Sequence, residues 1–181
     1  MFGKSVPSPH RPTHIYADDT DYFVTSSVLY REHWLSPKTH KSHIQKQLLT
    51  IAPHYGLTIK TWVILNNHYH LLFRLKKGKN LSRFFKHLHG QTSTNFNMWD
   101  KQLGRQFWYN YWDRCIRDEG DYWRHFNYIH YNPLKHGYVK YLRDWPYSSL
   151  FHYLETEGRE WVDDCWRSYP IKEFEIEDDD F

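Results

Sequence analysis

The stretch Trp62-Val63-Ile64-Leu65-Asn66-Asn67-His68-Tyr69-His70-Leu71-Leu72-Phe73-Arg74-Leu75 decides the reading of this chain. Two apolar runs flank Asn66-Asn67, the pattern of two strands joined by a tight hairpin turn. Along the second run, successive side chains alternate between faces. Tyr69, Leu71, Phe73 and Leu75 then make a core, while His68, His70, Leu72 and Arg74 fall on the opposite face. Two imidazoles pointing the same way from neighbouring positions suit one divalent metal ion.

Histidine fills 14 of 181 positions, so about one His-x-His is expected by chance. A second is present, His87-Leu88-His89. It sits in a run where Leu81, Phe84, Phe85 and Leu88 recur at helical spacing. On a helix, residues two apart diverge. Only the strand-borne pair can therefore share an ion.

Outward from the hairpin, Asp21 to Tyr30 reads as a first strand, rich in β-branched and aromatic residues. Pro37 to His54 reads as a helix with the stripe Ile44, Leu48, Leu49 and Ile51. Pro37 suits its first turn and Gly56 its end. Leu57 to Leu65 and Tyr69 to Leu75 are the paired strands, Leu81 to Trp99 a second helix, and Phe107 to Arg117 a fourth strand. Asp118 can cap a third helix that ends near Gly137. The order β-α-β-β-α-β-α predicts an α+β, ferredoxin-like fold. It has a four-stranded antiparallel sheet with helices on one side. A C-terminal extension starts at Trp145.

The net charge of +3 hides an asymmetry. The 67 residues from His33 to Trp99 contain no Asp or Glu, yet hold ten Lys and Arg. These are Lys38, Lys41, Lys46, Lys60, Arg74, Lys76, Lys77, Lys79, Arg83 and Lys86. Such a block is the electrostatic footprint of a polyanion partner, and nucleic acid is the reading favoured over a merely solvated surface. Aromatic residues reach 19%, enough that Trp108, Tyr109 and Trp112 are either core or platforms for unpaired bases. No run of 18 apolar residues exists, so no membrane span is expected. The first residues lack the apolar core of a secretion signal. Cys115 and Cys165 are isolated, which fits a reducing cytoplasm rather than a disulfide framework.

Within the third helix, Tyr128 and Asn132 are four apart and share a face, while Phe126 and Ile129 point to a core. A phenol and a carboxamide oxygen on one face could meet the two histidines, the oxygen as a third metal ligand. Pro133 disfavours helical geometry at Asn132, so a kink or an end is expected there.

The run from Trp62 to His70 resembles the strand-borne His-hydrophobic-His motif of the one-tyrosine HUH transposases, most closely the REP-associated tyrosine transposases. Tyr128-Ile129-His130-Tyr131-Asn132-Pro133-Leu134-Lys135-His136-Gly137-Tyr138-Val139 is similar to the tyrosine helix of that family. Trp145-Pro146-Tyr147-Ser148-Ser149 is similar to the stretch that follows it. The resemblance covers about residues 14–152, with a flexible segment 1–13 before it and an extension with an acidic tail, 153–181, after it. One departure is Tyr69, bulkier and less apolar than usual between the histidines; facing the core, it should leave the metal site intact.

The resemblance implies a metal-dependent single-stranded DNA endonuclease and strand transferase acting on hairpin-forming repeat DNA, through a covalent 5′-phosphotyrosine. It makes Tyr128 the nucleophile, and His68, His70 and Asn132 the ligands of Mg²⁺ or Mn²⁺. Tyr131 becomes a decoy, with Lys135 rather than a carboxamide four residues on. Lys38, Lys41, Arg74, Lys76, Lys77, Lys79, Arg83 and Lys86 are the candidate phosphate contacts. Asp113 and His125 are candidate bases for the phenol. The protein would be a monomer or homodimer, cytoplasmic and nucleoid-associated in a bacterium. The alternative is a non-catalytic binder of structured single-stranded DNA or RNA, a domesticated transposase. The acidic tail is read as a mimic of DNA that occupies the basic groove.

Overall fold

The computed structural model describes residues 14–171; the Pro/Ser-rich start and the acidic tail lie outside them. Four strands alternate with helices: β1 (Thr20–Val28), α1 (Lys38–Ile51), β2 (Leu57–Ile64), β3 (His68–Leu75), α2 (Leu81–Trp99), β4 (Trp108–Cys115) and α3 (Glu119–Lys135). Two short helices follow, α4 (Leu150–Thr156) and α5 (Arg159–Ser168). The sheet order is β2-β3-β1-β4 and every neighbouring pair is antiparallel. This is the α+β, ferredoxin-like arrangement the element order predicts.

The helices do not share one side. Tyr22, Val24, Tyr69, Leu71, Phe73 and Leu75 bury a core with Ile44 and Leu48 of α1 and Phe84, Phe85 and Leu88 of α2. Phe23, Val63, Leu65 and Leu72 bury a second core on the opposite face, with Phe126, Tyr128 and Ile129 of α3. The physical reason is legible in the strands. Val63-Ile64-Leu65 and Leu71-Leu72-Phe73 are continuous apolar runs, which only a sheet covered on both faces can bury.

Three local expectations are corrected. Leu49, placed in the buried stripe of α1, is 50% exposed, because its neighbour Leu48 takes the core-facing position. Strand β1 stops at Val28, since Tyr30 and Arg31 adopt positive φ (57° and 55°), where extension cannot continue. Helix α3 does not end at Asn132 but runs through Pro133 to Lys135. Its start is capped as expected, the Asp118 carboxylate accepting from the Asp121 amide at 2.7 Å.

The segment after α3 returns to the edge of β2. Ile64 N donates to Tyr147 O at 2.9 Å and Ser149 N to Trp62 O at 3.0 Å. Ser149 Oγ lies 2.7 Å from Thr61 Oγ1 and 2.9 Å from His130 Nε2, all three residues buried. Half of an otherwise open edge strand is thereby closed, and α3 is tied to β2. On its outer side α3 is covered by Tyr153 and Trp161, whose rings meet Phe126. Among the described residues no helix is long and apolar enough to cross a membrane.

Candidate active site

Helix α3 crosses the half of the sheet formed by β2 and β3, and that crossing builds the site. His70 pairs with Thr25 of β1 and with Val63 of β2, so it lies in mid-sheet beneath the helix. The His68 and His70 rings meet edge to face, with centroids 4.8 Å apart. The Tyr128 ring is 5.6 Å from His70 and 6.3 Å from Phe23. Only 3% of Tyr128 is exposed. Tyr131, three residues further on, turns instead toward α5, its ring 6.1 Å from Trp166. The structure thus brings Tyr128, and not Tyr131, to the histidine pair.

The surroundings set each donor's state. Asn67 Oδ1 accepts from His68 Nδ1–H at 2.6 Å, which leaves the His68 Nε2 lone pair bare, buried and without a hydrogen-bond partner among the described residues. Thr25 Oγ1 meets His70 Nδ1 at 2.9 Å. Asn132 Nδ2 donates to the Tyr128 carbonyl at 2.9 Å, which leaves the buried Asn132 Oδ1 to act on His70. Burial, then the neighbouring His70, Arg31, His136 and Lys135, hold His68 well below the ordinary histidine range. His70 is pushed down likewise by burial and by His136, Arg31 and Lys135, against which the nearby Asn132 carboxamide works.

Neutral imidazoles whose outer nitrogens are held by an amide and a hydroxyl are the form in which histidine ligates metal. Buried lone pairs on His68 and Asn132 cost free energy unless something accepts them. The residues therefore fit a hard or borderline divalent cation. No cluster of three His, Cys, Asp or Glu suited to a metal occurs among the described residues.

Several residues around the site were not among the expected ones. Lys135 Nζ donates to Tyr128 Oη at 3.0 Å and stands 5.0 Å from the ring centroid. The His136 ring lies 5.0 Å from His68. The Arg31 carbonyl accepts from Asn67 Nδ2 at 3.1 Å, which fixes the turn whose guanidinium charge reaches both histidines. The sequence signal for Lys135 was its place on the tyrosine helix; for Arg31 there was none.

The candidate phosphate contacts divide differently. Lys41 is a correction: it is 3% exposed, and its ammonium donates to Leu35 O and Ser36 O at 2.9 and 2.7 Å beneath the rings of Trp145 and Tyr147. A group enclosed in this way cannot reach a phosphate. Lys38, Lys76, Lys77, Lys79, Arg83 and Lys86 are exposed. Arg74 is exposed too, paired with Asp21 at 3.0 Å. Lys76 to Lys79 follow the far end of β3, roughly 25 Å from His68 at about 3.3 Å per residue. The structure does not bring them to the histidine pair.

Asp113 lies on the α2 face of the sheet, paired with Val24 and bonded to His14, so the sheet separates it from Tyr128. His125 is buried with its ring 4.5 Å from Phe23 and its Nδ1 2.7 Å from the Asp121 carbonyl. Trp108 is core, its Nε1 donating to Thr92 Oγ1 at 2.9 Å. Tyr109 and Trp112 form a half-buried ring pair, 5.8 Å apart. The second His-x-His diverges as expected: His89 stacks on Trp108 at 4.6 Å inside the core, whereas His87 is exposed and bonds Tyr55.

A family model described as IS200-like transposase matches residues 17–116, a span that holds both histidines and ends before α3. A REP-associated tyrosine transposase of Escherichia coli is 33% identical over 102 residues, 52% of this chain and 54% of that protein. A Haemophilus influenzae protein provisionally given the same name is 34% identical over 115 residues, 58% of this chain and 65% of the relative. The chain thus matches less than two thirds of either relative's length. A solved structure of a REP-associated tyrosine transposase bound to a REP hairpin shares the fold, with a TM-score of 0.66 at 24% identity over 82% of this chain and 87% of that one.

Proposed function

Because the chain belongs to the IS200-like transposase family, we propose that it cuts and rejoins single-stranded DNA, with Tyr128 as the nucleophile and hairpin-forming repeat DNA as the substrate. The observation that carries this reading is convergence. A buried phenol from α3 meets, at 5.6 Å, an imidazole from the strand-borne pair, and a lysine ammonium already bonds its oxygen. A phenol that only filled a core would have no need of two neutral imidazoles and a buried carboxamide oxygen around it.

In the proposed reaction Tyr128 Oη attacks a phosphodiester in line, joins to the 5′-phosphate and releases a 3′-hydroxyl. The bond energy stays in the phosphotyrosine, so a 3′-hydroxyl can reseal the strand without a nucleotide cofactor. Mg²⁺ or Mn²⁺ held by His68, His70 and Asn132 would polarise a non-bridging phosphate oxygen. Asn67, as an acceptor, would keep His68 in the ligating tautomer, and Thr25 would hold the orientation of His70. Lys38, Arg74, Lys76, Lys77, Lys79, Arg83 and Lys86 supply a cationic exterior for the flanking DNA, whose affinity should fall steeply with salt. A cytoplasmic, nucleoid-associated location goes with such a substrate.

The test is a 3′-labelled, hairpin-bearing single strand incubated with the protein and Mn²⁺, then run on a denaturing protein gel. A labelled covalent adduct is expected, lost in Tyr128→Phe and in His70→Ala and retained in Tyr131→Phe. An adduct that survives Tyr128→Phe refutes the assignment. Hairpin binding with no adduct in the unaltered protein favours the non-catalytic binder instead.

A further inference from the structure

We propose that Lys135 is a catalytic residue in both directions of the strand transfer: its ammonium compensates the charge on Tyr128 Oη when that oxygen attacks and again when it leaves. The inference rests on the strand-transfer reading above and adds a residue to it. Lys135 follows Tyr128 by about two turns of α3. Helical side chains lean toward the N-terminus, so a long one near the end of the helix reaches back over the phenol. The structure shows that reach, with Nζ 3.0 Å from Oη and 5.0 Å from the ring centroid. A cation in the last turn is also favoured by the helix dipole, which helps keep it there.

Two features make the charge matter. Tyr128 is 3% exposed, so little water can solvate a phenolate, and a fixed cation in such surroundings acts far more strongly than in solvent. The carboxylate considered as a base, Asp113, is on the far side of the sheet. In cleavage the phenol proton passes to solvent hydroxide, forming water. Oη then bonds to phosphorus, the bond from phosphorus to the 3′-oxygen breaks, and its electron pair stays on that oxygen, which takes a proton from water. In joining, an incoming 3′-hydroxyl gives its proton to hydroxide and bonds to phosphorus. The phosphorus–Oη bond breaks, and the pair returns to Oη beside the ammonium. Lys135 keeps its proton throughout.

Removing one such donor from a buried site typically costs about 100-fold or more in rate. Lys135→Met should slow single-turnover adduct formation by about 100-fold, and slow rejoining of a preformed adduct similarly. Lys135→Arg should stay within about tenfold of the unaltered protein, while Lys135→Gln, a donor without charge, should fall near the Met variant. Added ethylammonium should restore part of the lost rate to Lys135→Ala, which a merely structural role would not allow. If Lys135→Met does not fold, Lys135→Gln answers the same question at nearly equal volume. Adduct formation within about threefold of normal in a folded Met or Gln variant overturns the proposal. If the unaltered protein makes a Tyr128-dependent adduct, that outcome touches Lys135 alone. If it makes none while still binding the hairpin, the strand-transfer reading fails and Lys135 with it.

Discussion

Replacing Lys41 by methionine is expected to remove a contribution to folding stability that grows between about pH 8 and 10.5. Burial pulls the Lys41 ammonium down to about 8, from an ordinary value of 10.5. The sign follows from proton counting. Below pH 8 both folded and unfolded chains carry the proton, and the folded state bears the full penalty of burying it. Between pH 8 and 10.5 the unfolded chain still binds the proton and the folded one does not, so unfolding must take one up and stability rises with pH. Integrated from pH 7 to pH 10, the gain is about 2 to 3 kcal/mol. Methionine has similar length and no proton to lose. At pH 7 it escapes the desolvation cost but leaves the carbonyls of Leu35 and Ser36 without their donor, a loss of about 1 kcal/mol or more each. The two variants should therefore be similar at pH 7 and diverge at pH 10 in favour of lysine. Urea unfolding of both proteins at matched pH values reads the difference and cancels the other titrating groups. A stability difference that stays flat from pH 7 to 10 refutes the reasoning, as would hairpin affinity in Lys41→Met reduced as much as in Lys76→Met.

Other perturbations follow from the same geometry. A saturating divalent cation should raise the thermal midpoint: at one hundred times its dissociation constant a ligand of the folded state adds about 2.7 kcal/mol. That corresponds to roughly 5–10 °C for a chain of this size. His70→Ala should abolish this rise, and an equal shift in that variant would remove the ion from the histidine pair. Arg31→Gly should relieve a left-handed backbone that costs a non-glycine residue about 1 kcal/mol, raising the midpoint by roughly 2–4 °C. It should also lower adduct formation about tenfold through the lost charge, and unchanged activity would show that the guanidinium is a bystander. Tyr69→Phe removes the buried hydroxyl bonded to His89 Nε2 at 2.7 Å and should cost about 1–2 kcal/mol in urea unfolding. Because Tyr69 faces the α1/α2 core, adduct formation per folded molecule should not change, and a drop would show that the two sheet faces are coupled.

The parts of the site that the sequence reveals are those that obey a period. Strand alternation separates His68 and His70 from Tyr69, Leu71 and Phe73, and the structure keeps that separation. Helical spacing puts Tyr128 and Asn132 on one face, and the same rule dismisses His87 and His89. Even the presence of helices on both faces is written in the continuous apolar runs of β2 and β3, although element order alone suggests one side. What periodicity does not carry is polar contact across the chain. Asn67 looks like a turn residue, yet neither Asn66 nor Asn67 has a positive φ. The contribution of Asn67 is a side chain that holds His68 on one side and the Arg31 carbonyl on the other.

Charge shows the same division more sharply. The acid-free block from His33 to Trp99 marks a cationic stretch of sequence but not the cations around the histidine pair. Lys41, inside the block, spends its ammonium on two carbonyls and two aromatic rings. Lys76, Lys77 and Lys79 lie at the opposite end of β3 from His68. The cations that the histidines feel are Arg31, just before the block, and Lys135, far beyond it. Composition counts charges along the chain, whereas a buried site responds to distance in space. Arg31 is aimed by a strained turn and Lys135 by the end of the tyrosine helix, and both placements exist only once β1, β3 and α3 have stacked. A basic stretch therefore predicts the charge of a surface, and the cations that act on a buried site must be sought around the histidine pair and Tyr128 in space.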